Sequence, residues 1–238
     1  MSNKLIILSG AGLSADSGVP TFRSANGLWM DHDINKVCDY LTWKENFTLV
    51  HAFYNNLRSL LSTVEPNLAH KTIAEWEADY GDRVINMTAN VDDLLERAGC
   101  KNITHLHGFL PQMQCTACGN IWDCGYNEWN SDEDRCPKCT SRKGVKPAVV
   151  FFNEGAKEYI RLNKVFREIV QEDVVLIIGT SGQVINVDAY LFDKTCFKIL
   201  NNLQPETFVD ESMYDSVHFG RASDVIQDID KIVRSRMK

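Results

Sequence analysis

No stretch of this 238-residue chain approaches the ~20 consecutive apolar residues that cross a bilayer. The apolar run near the N-terminus, Leu5-Ile6-Ile7-Leu8, follows a single lysine and is too short for the core of a signal peptide. Positive charge is in deficit: 25 Lys and Arg face 32 Asp and Glu, a net −7. That balance argues against a nucleic-acid backbone as the main partner, and no membrane partner is expected. It suits basic, lysine-rich partners, or simply solubility. Internal repeats, low-complexity tracts and long linkers are absent. What remains is an ordinary globular composition, 44% hydrophobic and 24% charged. The length allows one large domain or a domain with a sizeable insertion. A monomer in a cytoplasmic setting is expected.

Eight cysteines stand out against this background. Cys115-x-x-Cys118 and Cys136-x-x-Cys139 form two close pairs separated by seventeen residues. Each pair can place two thiolates on one metal from a tight turn, and four thiolates close a tetrahedral zinc site with no position left for water. The metal is therefore expected to be structural. Two disulfides or a redox pair are the alternatives, and the first needs an oxidising compartment. Cys124 lacks a partner at ligand spacing, and Cys38, Cys100 and Cys196 are scattered. All four read as reduced and partly buried.

The most informative stretch follows Leu8. Gly10-Ala11-Gly12-Leu13-Ser14-Ala15 fits the dinucleotide pattern G-x-G-x-x-G/A, in which a strand ends in a glycine turn that can approach a pyrophosphate. The oxidoreductase version also needs an acidic residue ending a second strand about twenty residues on. Here that distance falls in Gly27-Leu28-Trp29-Met30-Asp31, which does not read as a strand. The loop continues instead into Gly18-Val19-Pro20-Thr21-Phe22-Arg23, an aromatic–guanidinium pair after a Gly/Pro turn. A dinucleotide ligand without hydride transfer is the reading.

Valine- and isoleucine-rich runs predict buried strands at 4–9, 83–88, 103–106, 148–152, 174–178 and 197–201. Helical periodicity covers Asp92–Ala98, ended by Gly99, and Lys157–Gln171. A last helix follows Ser223 as N-cap, with Val225, Ile229, Ile232 and Val233 on one face. Alternation of this kind gives an α/β, Rossmann-like, doubly wound parallel sheet. Its expected segments are 1–30, 81–109 and 148–238. Residues 31–80 lack strand signals and carry aromatics at helical spacing, so they read as a helical insertion. Residues 110–147 hold both cysteine pairs and read as a zinc-ribbon module. The two together would form a small domain.

The whole stretch GAGLSADSGVPTFRSANGLW resembles the cofactor loop of the sirtuins, NAD-dependent protein-lysine deacylases. Further matches follow in that family's order along nearly the whole chain: Asn90-Val91-Asp92, His105-Leu106-His107-Gly108, the cysteine pairs, Phe152-Asn153-Glu154, Gly179-Thr180-Ser181 and Asn202-Leu203. The resemblance implies NAD and zinc as cofactors and an acyl-lysine protein or peptide as substrate. It implies His107 as general base, assisted by Asn90, with His105 structural. It places NAD on Gly10, Ala11, Gly12 and Ser14, on Thr21, Phe22, Arg23 and Trp29, and on Asn90 and Asp92. The adenosine half falls to Gly179, Thr180, Ser181, Asn202, Leu203 and Ala222. Val149, Phe152, Tyr54 and Arg58 are the implied substrate-side residues.

Three positions depart from the family pattern. Ala89 stands where a glutamine usually precedes Asn-x-Asp, Leu95 where a histidine is usual, and Val184-Ile185-Asn186 where Val-x-Pro is usual. The loop around Thr21 is most similar to the branch that removes acidic acyl groups, which reads the acyl carboxylate with Tyr-x-x-Arg. Here the arginine comes one residue late: Tyr54 is followed by Asn55, Asn56, Leu57 and then Arg58. One helical residue is a rotation of about 100°. The expectation is therefore preference for neutral acyl groups, with Tyr54 serving either the core or the acyl channel. An NAD glycohydrolase and a catalytically weak nucleotide sensor remain as alternative readings.

Overall fold

A computed structural model describes residues 3–21 and 34–238. The elements, in chain order, are strand β1 (Leu5–Ser9) and helices α1 (Gly12–Ala15), α2 (Ile34–Val37), α3 (Phe47–Leu61) and α4 (Leu68–Tyr80). Strand β2 (Val84–Thr88), helix α5 (Leu94–Ala98), and strands β3 (Ile103–His105), β4 (Gly108–Cys115), β5 (Ile121–Asp123) and β6 (Val145–Val149) follow. The chain ends with helix α6 (Tyr159–Arg167), strand β7 (Val174–Ile178), helix α7 (Val187–Leu191), strands β8 (Phe197–Asn202) and β9 (Ser216–Phe219), and helix α8 (Ala222–Arg236).

Six strands form one parallel sheet in the order β3-β2-β1-β7-β8-β9. Numbered by their own succession this is 3-2-1-4-5-6, the doubly wound order, with its switch point between β1 and β7. Both of these central strands are buried along their full length. That is why LIILS and VVLII read as unbroken apolar runs. On one face, Leu5, Ile7, Leu176 and Ile178 pack with Ile73 and Trp76 of α4 and Ile226, Ile229 and Val233 of α8. On the other, Ile6, Leu8, Val175 and Ile177 pack with Leu162 and Phe166 of α6 and Val187 and Leu191 of α7.

A second sheet, β5-β4-β6, is antiparallel and carries the cysteine pairs. Here two expectations are corrected. The strand predicted at 148–152 runs from Val145 to Val149 and pairs antiparallel with β4, outside the parallel sheet. A buried valine run looks the same in either sheet, so composition could not assign it. Helix α4, read with the helical insertion, packs on the parallel sheet instead, because Ala69, Ile73 and Trp76 face β1 and β2. The insertion's own core is α3 with Val37, Trp43, Leu110 and Phe151.

Helix ends differ in detail. The α5 helix starts at Leu94, after Asp93, and ends as expected at Gly99, whose φ is 117°. Only Tyr159–Arg167 of the predicted 157–171 is helical. Ser223 lies inside α8, and Arg221 is the cap. The Ser223 hydroxyl donates instead to Asp16, at 2.7 Å, and ties α8 to the end of α1.

The switch point depends on glycine. Gly179 has φ +65°, and a Cβ there would lie 2.4 Å from the Leu13 nitrogen. Gly81 has a similar φ of +56° but open space around it. Replacing either by alanine costs about 1 kcal/mol or more in left-handed strain, and only Gly179→Ala adds a backbone clash. Gly179→Ala is therefore expected to lower unfolding free energy by about 2 kcal/mol more than Gly81→Ala, measured by urea titration. Equal losses would mean that the two loops have room to part.

Candidate active site

The carboxyl ends of the parallel strands are stitched together by short bonds. Gly12 N–H donates to the Gly179 carbonyl at 2.8 Å, and Gly179 N–H to the Asn201 carbonyl at 2.8 Å. The Ser9 hydroxyl donates to Thr88 Oγ1 at 2.9 Å, and Asn90 N–H donates to the same oxygen at 3.0 Å. Ala89 N–H donates to the Ser9 carbonyl and Leu106 N–H to the Thr88 carbonyl, both at 2.8 Å. The glycine turn, Asn90 to Asp92, His105 to His107, Gly179 to Ser181 and Asn202 thus share one rim, where ligands of this topology bind.

Ser14 is the hub of a buried polar network. Its hydroxyl donates to Asp92 Oδ2 at 2.8 Å and accepts from Asn90 Nδ2 at 3.1 Å. His70 Nε2 lies 3.3 Å from the same hydroxyl. The other ring nitrogen of His70 accepts the Asn67 N–H in a capping box, so Nε2 carries the proton and donates to Ser14. Burial pulls the His70 pKa down to about 4, which keeps the ring neutral near pH 7. Burial also raises the pKa of Asp92, against the opposing hydrogen bonds from the Ser14 hydroxyl and the Leu94 N–H. The Leu94 bond, 3.2 Å from Asp92 Oδ1, orders the start of α5. Asp92 therefore has both of its oxygens engaged within the protein.

The two histidines of His105-Leu106-His107 have different partners. His105 bonds Glu96 Oε1 at 2.6 Å and the Asn90 carbonyl at 3.1 Å. Burial lowers its pKa, but the Glu96 carboxylate, the Asn90 carbonyl and the Asp92 charge together outweigh that and the net shift is upward. His107 Nδ1 sits 3.1 Å from the Ala89 carbonyl. A carbonyl only accepts, so Nδ1 carries the proton and Nε2 presents the lone pair. Nε2 is 2.8 Å from the Tyr159 hydroxyl. Burial lowers the His107 pKa, and the Ala89 bond partly opposes it. His107 is thus a neutral imidazole at pH 7, whereas His105 is tied to Glu96 and the Asn90 carbonyl.

At the end of β8, Asn202 is buried and its Nδ2 has no partner. An orphaned buried amide donor is costly, and a ligand acceptor would satisfy it. This fits a nucleotide lying across the rim. Leu203 is exposed beside it, and Ala222 opens α8. Asn186 caps α7, accepting the Ala189 N–H at 3.0 Å, so the loop that lacks proline is ordered by a side-chain cap.

The four paired cysteines gather as expected. All four sulfurs lie within 4.8 Å of one another. Cys115 and Cys139 are 3.6 Å apart, and Cys118 and Cys136 3.7 Å. A zinc tetrahedron with Zn–S of about 2.3 Å has edges of about 3.8 Å, whereas a disulfide would be about 2.05 Å. The donor set and spacing therefore fit zinc. Cys124 stands apart, with its thiol on the Pro111 carbonyl.

The sequence pattern described as the Sir2 family matches residues 10–186. The chain belongs to the Sir2 family. A Helicobacter hepaticus protein named NAD-dependent protein deacylase is 40% identical, over 96% of each chain. A Campylobacter jejuni protein of the same name is also 40% identical, over 96% of this chain and 93% of its own. Among solved structures, a Sir2 homologue complexed with ADP-ribose superposes with a TM-score of 0.85 at 30% identity, covering 98% of this chain and 93% of its own. A Sir2 homologue–NAD complex gives 0.83 at 30%, covering 100% and 91%.

Not every residue carried over from the Sir2 resemblance converges on the rim. Phe22, Arg23 and Trp29 lie outside the described residues, and Thr21 is the last residue described before them. Tyr54 is fully buried, stacked on Phe151 with its hydroxyl on Cys38. Val149 belongs to the same core, while Phe152 is exposed. Arg58 is committed elsewhere: its guanidinium donates to the Asn127 carbonyl and to Asn55 Oδ1 and touches Met113. It ties α3 to the zinc-bearing segment, which the displaced Tyr–Arg spacing foreshadows. His70 and Tyr159 were missed, since each reaches its partner across more than fifty residues of sequence. The asparagine cap at Asn67 was the one local signal near His70.

One zinc per chain is expected on metal analysis of the purified protein. Because the site is closed, removing the metal should loosen β4–β6 and leave the parallel sheet folded. Zinc-free protein with unchanged hydrogen-exchange protection in β4–β6 would contradict this.

Proposed function

We infer that this Sir2-family chain is an NAD-dependent protein-lysine deacylase that moves the acyl group of a modified lysine onto ADP-ribose. The observation that carries the reading is His107. It is a neutral imidazole with Nδ1 anchored on Ala89, poised at the rim shared with Ser14, Asn90 and Asn202. Bound NAD would supply an electrophilic ribose carbon, with nicotinamide as its leaving group, for the acyl oxygen of the modified lysine. Gly10, Ala11 and Gly12 allow close backbone approach at the switch point. Asn90, held by Ser14, serves the ribose and nicotinamide side of the rim, and Asn202, Ser181 and Thr180 serve the adenosine side. Phe22, Arg23 and Trp29 complete the cofactor loop in this reading. His107 Nε2 takes the proton of a ribose hydroxyl, which turns that oxygen into the acyl acceptor.

The Ala89 substitution bears on this step less than its side chain suggests. The base is oriented by the Ala89 carbonyl, which any residue supplies. Acidic acyl groups are disfavoured, because Arg58 is buried and its donors are spent on Asn55 and Asn127. A carboxylate entering an apolar channel without a partner is costly. Basic, lysine-bearing substrates suit the net charge of −7, and reduced cysteines suit a cytoplasmic setting.

Mass spectrometry of reactions with NAD and acetyl-lysine peptide tests the assignment. His107→Ala is expected to lose a factor of about a hundred or more in deacylation while the fold persists. Near-normal turnover would remove His107 as the base. On one peptide sequence, acetyl-lysine should give a higher kcat/KM than succinyl-lysine. Faster desuccinylation that Arg58→Met abolishes would show that the arginine serves the acyl site after all.

A further inference from the structure

We propose that Asp39 is a positioning residue for the acyl-lysine side of the site. Through its hydrogen bond with Asn153 it holds the turn 151–154, and so fixes how Phe152 faces the substrate. This deepens the deacylase reading and rests on Phe152 lying on its substrate side.

The turn is tight. Glu154 N–H donates to the Phe151 carbonyl at 3.1 Å, which makes Phe152 and Asn153 the two corner residues. Asn153 has φ +62°, and only Thr140 shares a positive φ among the described non-glycine residues. A turn whose third residue has positive φ favours glycine, and asparagine is the side-chain-bearing residue that takes its place most readily. Asparagine also brings an amide, and here the amide is used. Its Nδ2 donates to Asp39 Oδ2 at 2.9 Å, across 114 residues of sequence. The acceptor is a carboxylate, so the bond is charge-assisted.

Asp39 is a rigid anchor. Its other carboxylate oxygen accepts the Leu41 N–H at 2.7 Å, and its carbonyl accepts the Trp43 N–H at 2.9 Å. Val37 and Cys38 before it and Trp43 after it are buried in the core around α3. The neighbouring backbone meets the same turn. Phe152 N–H donates to the Cys38 carbonyl and Tyr40 N–H to the Phe152 carbonyl, both at 2.9 Å. On the far side, Glu154 lies 3.0 Å from Lys146 Nζ and accepts the Phe151 N–H at 2.9 Å. Residues 151, 152 and 154 are thus fixed by these bonds. Asn153, the corner in the least favoured backbone region, is held by Asp39, and no other side chain bonds it among the described residues.

The consequence separates the two substrates. Neither Asp39 nor Asn153 bonds the glycine turns, Asn90 or Asn202 among the described residues. Releasing the turn should therefore weaken acyl-peptide binding and spare NAD. A general loss of the fold would weaken both.

The test compares Asp39→Ala, Asp39→Asn and Asn153→Gly by anisotropy of a labelled acetyl-lysine peptide, with KM for peptide and for NAD. Asp39→Ala is expected to weaken peptide affinity and raise peptide KM about three- to tenfold, the scale of one lost hydrogen bond to a half-buried carboxylate. KM for NAD should stay within about twofold. Asp39→Asn keeps an acceptor oxygen for Asn153 and should recover most of the loss. Asn153→Gly keeps the turn but not the bond, so it should match Asp39→Ala, and the double variant should be no weaker than either. Peptide affinity within about twofold of wild type in Asn153→Gly, equal losses for peptide and NAD, or additive losses in the double variant would overturn the proposal. Asn153→Gly removes no charge and no core contact, so it carries the test even where Asp39→Ala does not fold. If the wild-type protein binds the peptide with this pattern but does not deacylate it, the deacylase reading fails and the role of Asp39 stands. Normal deacylation with unmoved peptide affinity in the variants sinks the role of Asp39 alone.

Discussion

The site is organised by the contact between two glycine turns at the switch point of the sheet. A Cβ on Gly10 would lie 2.7 Å from the Gly179 carbonyl oxygen, and one on Gly12 2.7 Å from the Gly179 Cα. Only backbones without side chains can meet so closely. Their meeting closes the ends of β1 and β7, and the bond from Gly179 to the Asn201 carbonyl carries the closure to β8. The rest of the rim is measured from there. Ser14 sits two residues beyond Gly12 and reaches Asn90 and Asp92 across the end of β2. Ala89, one residue before Asn90, orients His107.

The second unit is held together by buried cations. Lys146 is fully buried, with Nζ 2.6 Å from the Val149 carbonyl, 3.0 Å from Glu154 and 4.2 Å from the centre of the Phe151 ring. Burial lowers its pKa, and Glu154 opposes the shift. Removing one partner would strand a charge, which is far costlier than the pair is stabilising. Glu154 also accepts the Phe151 N–H, so the pair fixes the segment that presents Phe152. Arg58 plays the corresponding part between α3 and the zinc-bearing segment. Both cations serve architecture, holding backbone carbonyls and side chains of the second unit.

Much of this was legible in the sequence because the signals were local. The strands β1, β7 and β8, the glycine turn, the Gly99 helix stop and the cysteine pairs each depend on residues a few positions apart. What stayed hidden depends on long-range pairing. The β6 strand has the composition of a parallel core strand, and only its partner β4 reveals its sheet. The β9 strand, Ser216–Phe219, is a half-exposed sheet edge with no apolar run to mark it. Helix α4 shows its apolar face in sequence but not which core it joins. His70 and Tyr159 are single polar residues on helices, and nothing in their spacing names Ser14 or His107 as partners.

The central claim is that the rim holds a base for transfer to an acyl acceptor, and is not a site that hydrolyses NAD. The most direct measurement is the rate of nicotinamide release from NAD with and without an acetyl-lysine peptide. The account predicts release that depends on the peptide and matches deacylated peptide one for one. Release at the same rate without peptide would contradict it, and would make the protein an NAD glycohydrolase built on the same fold.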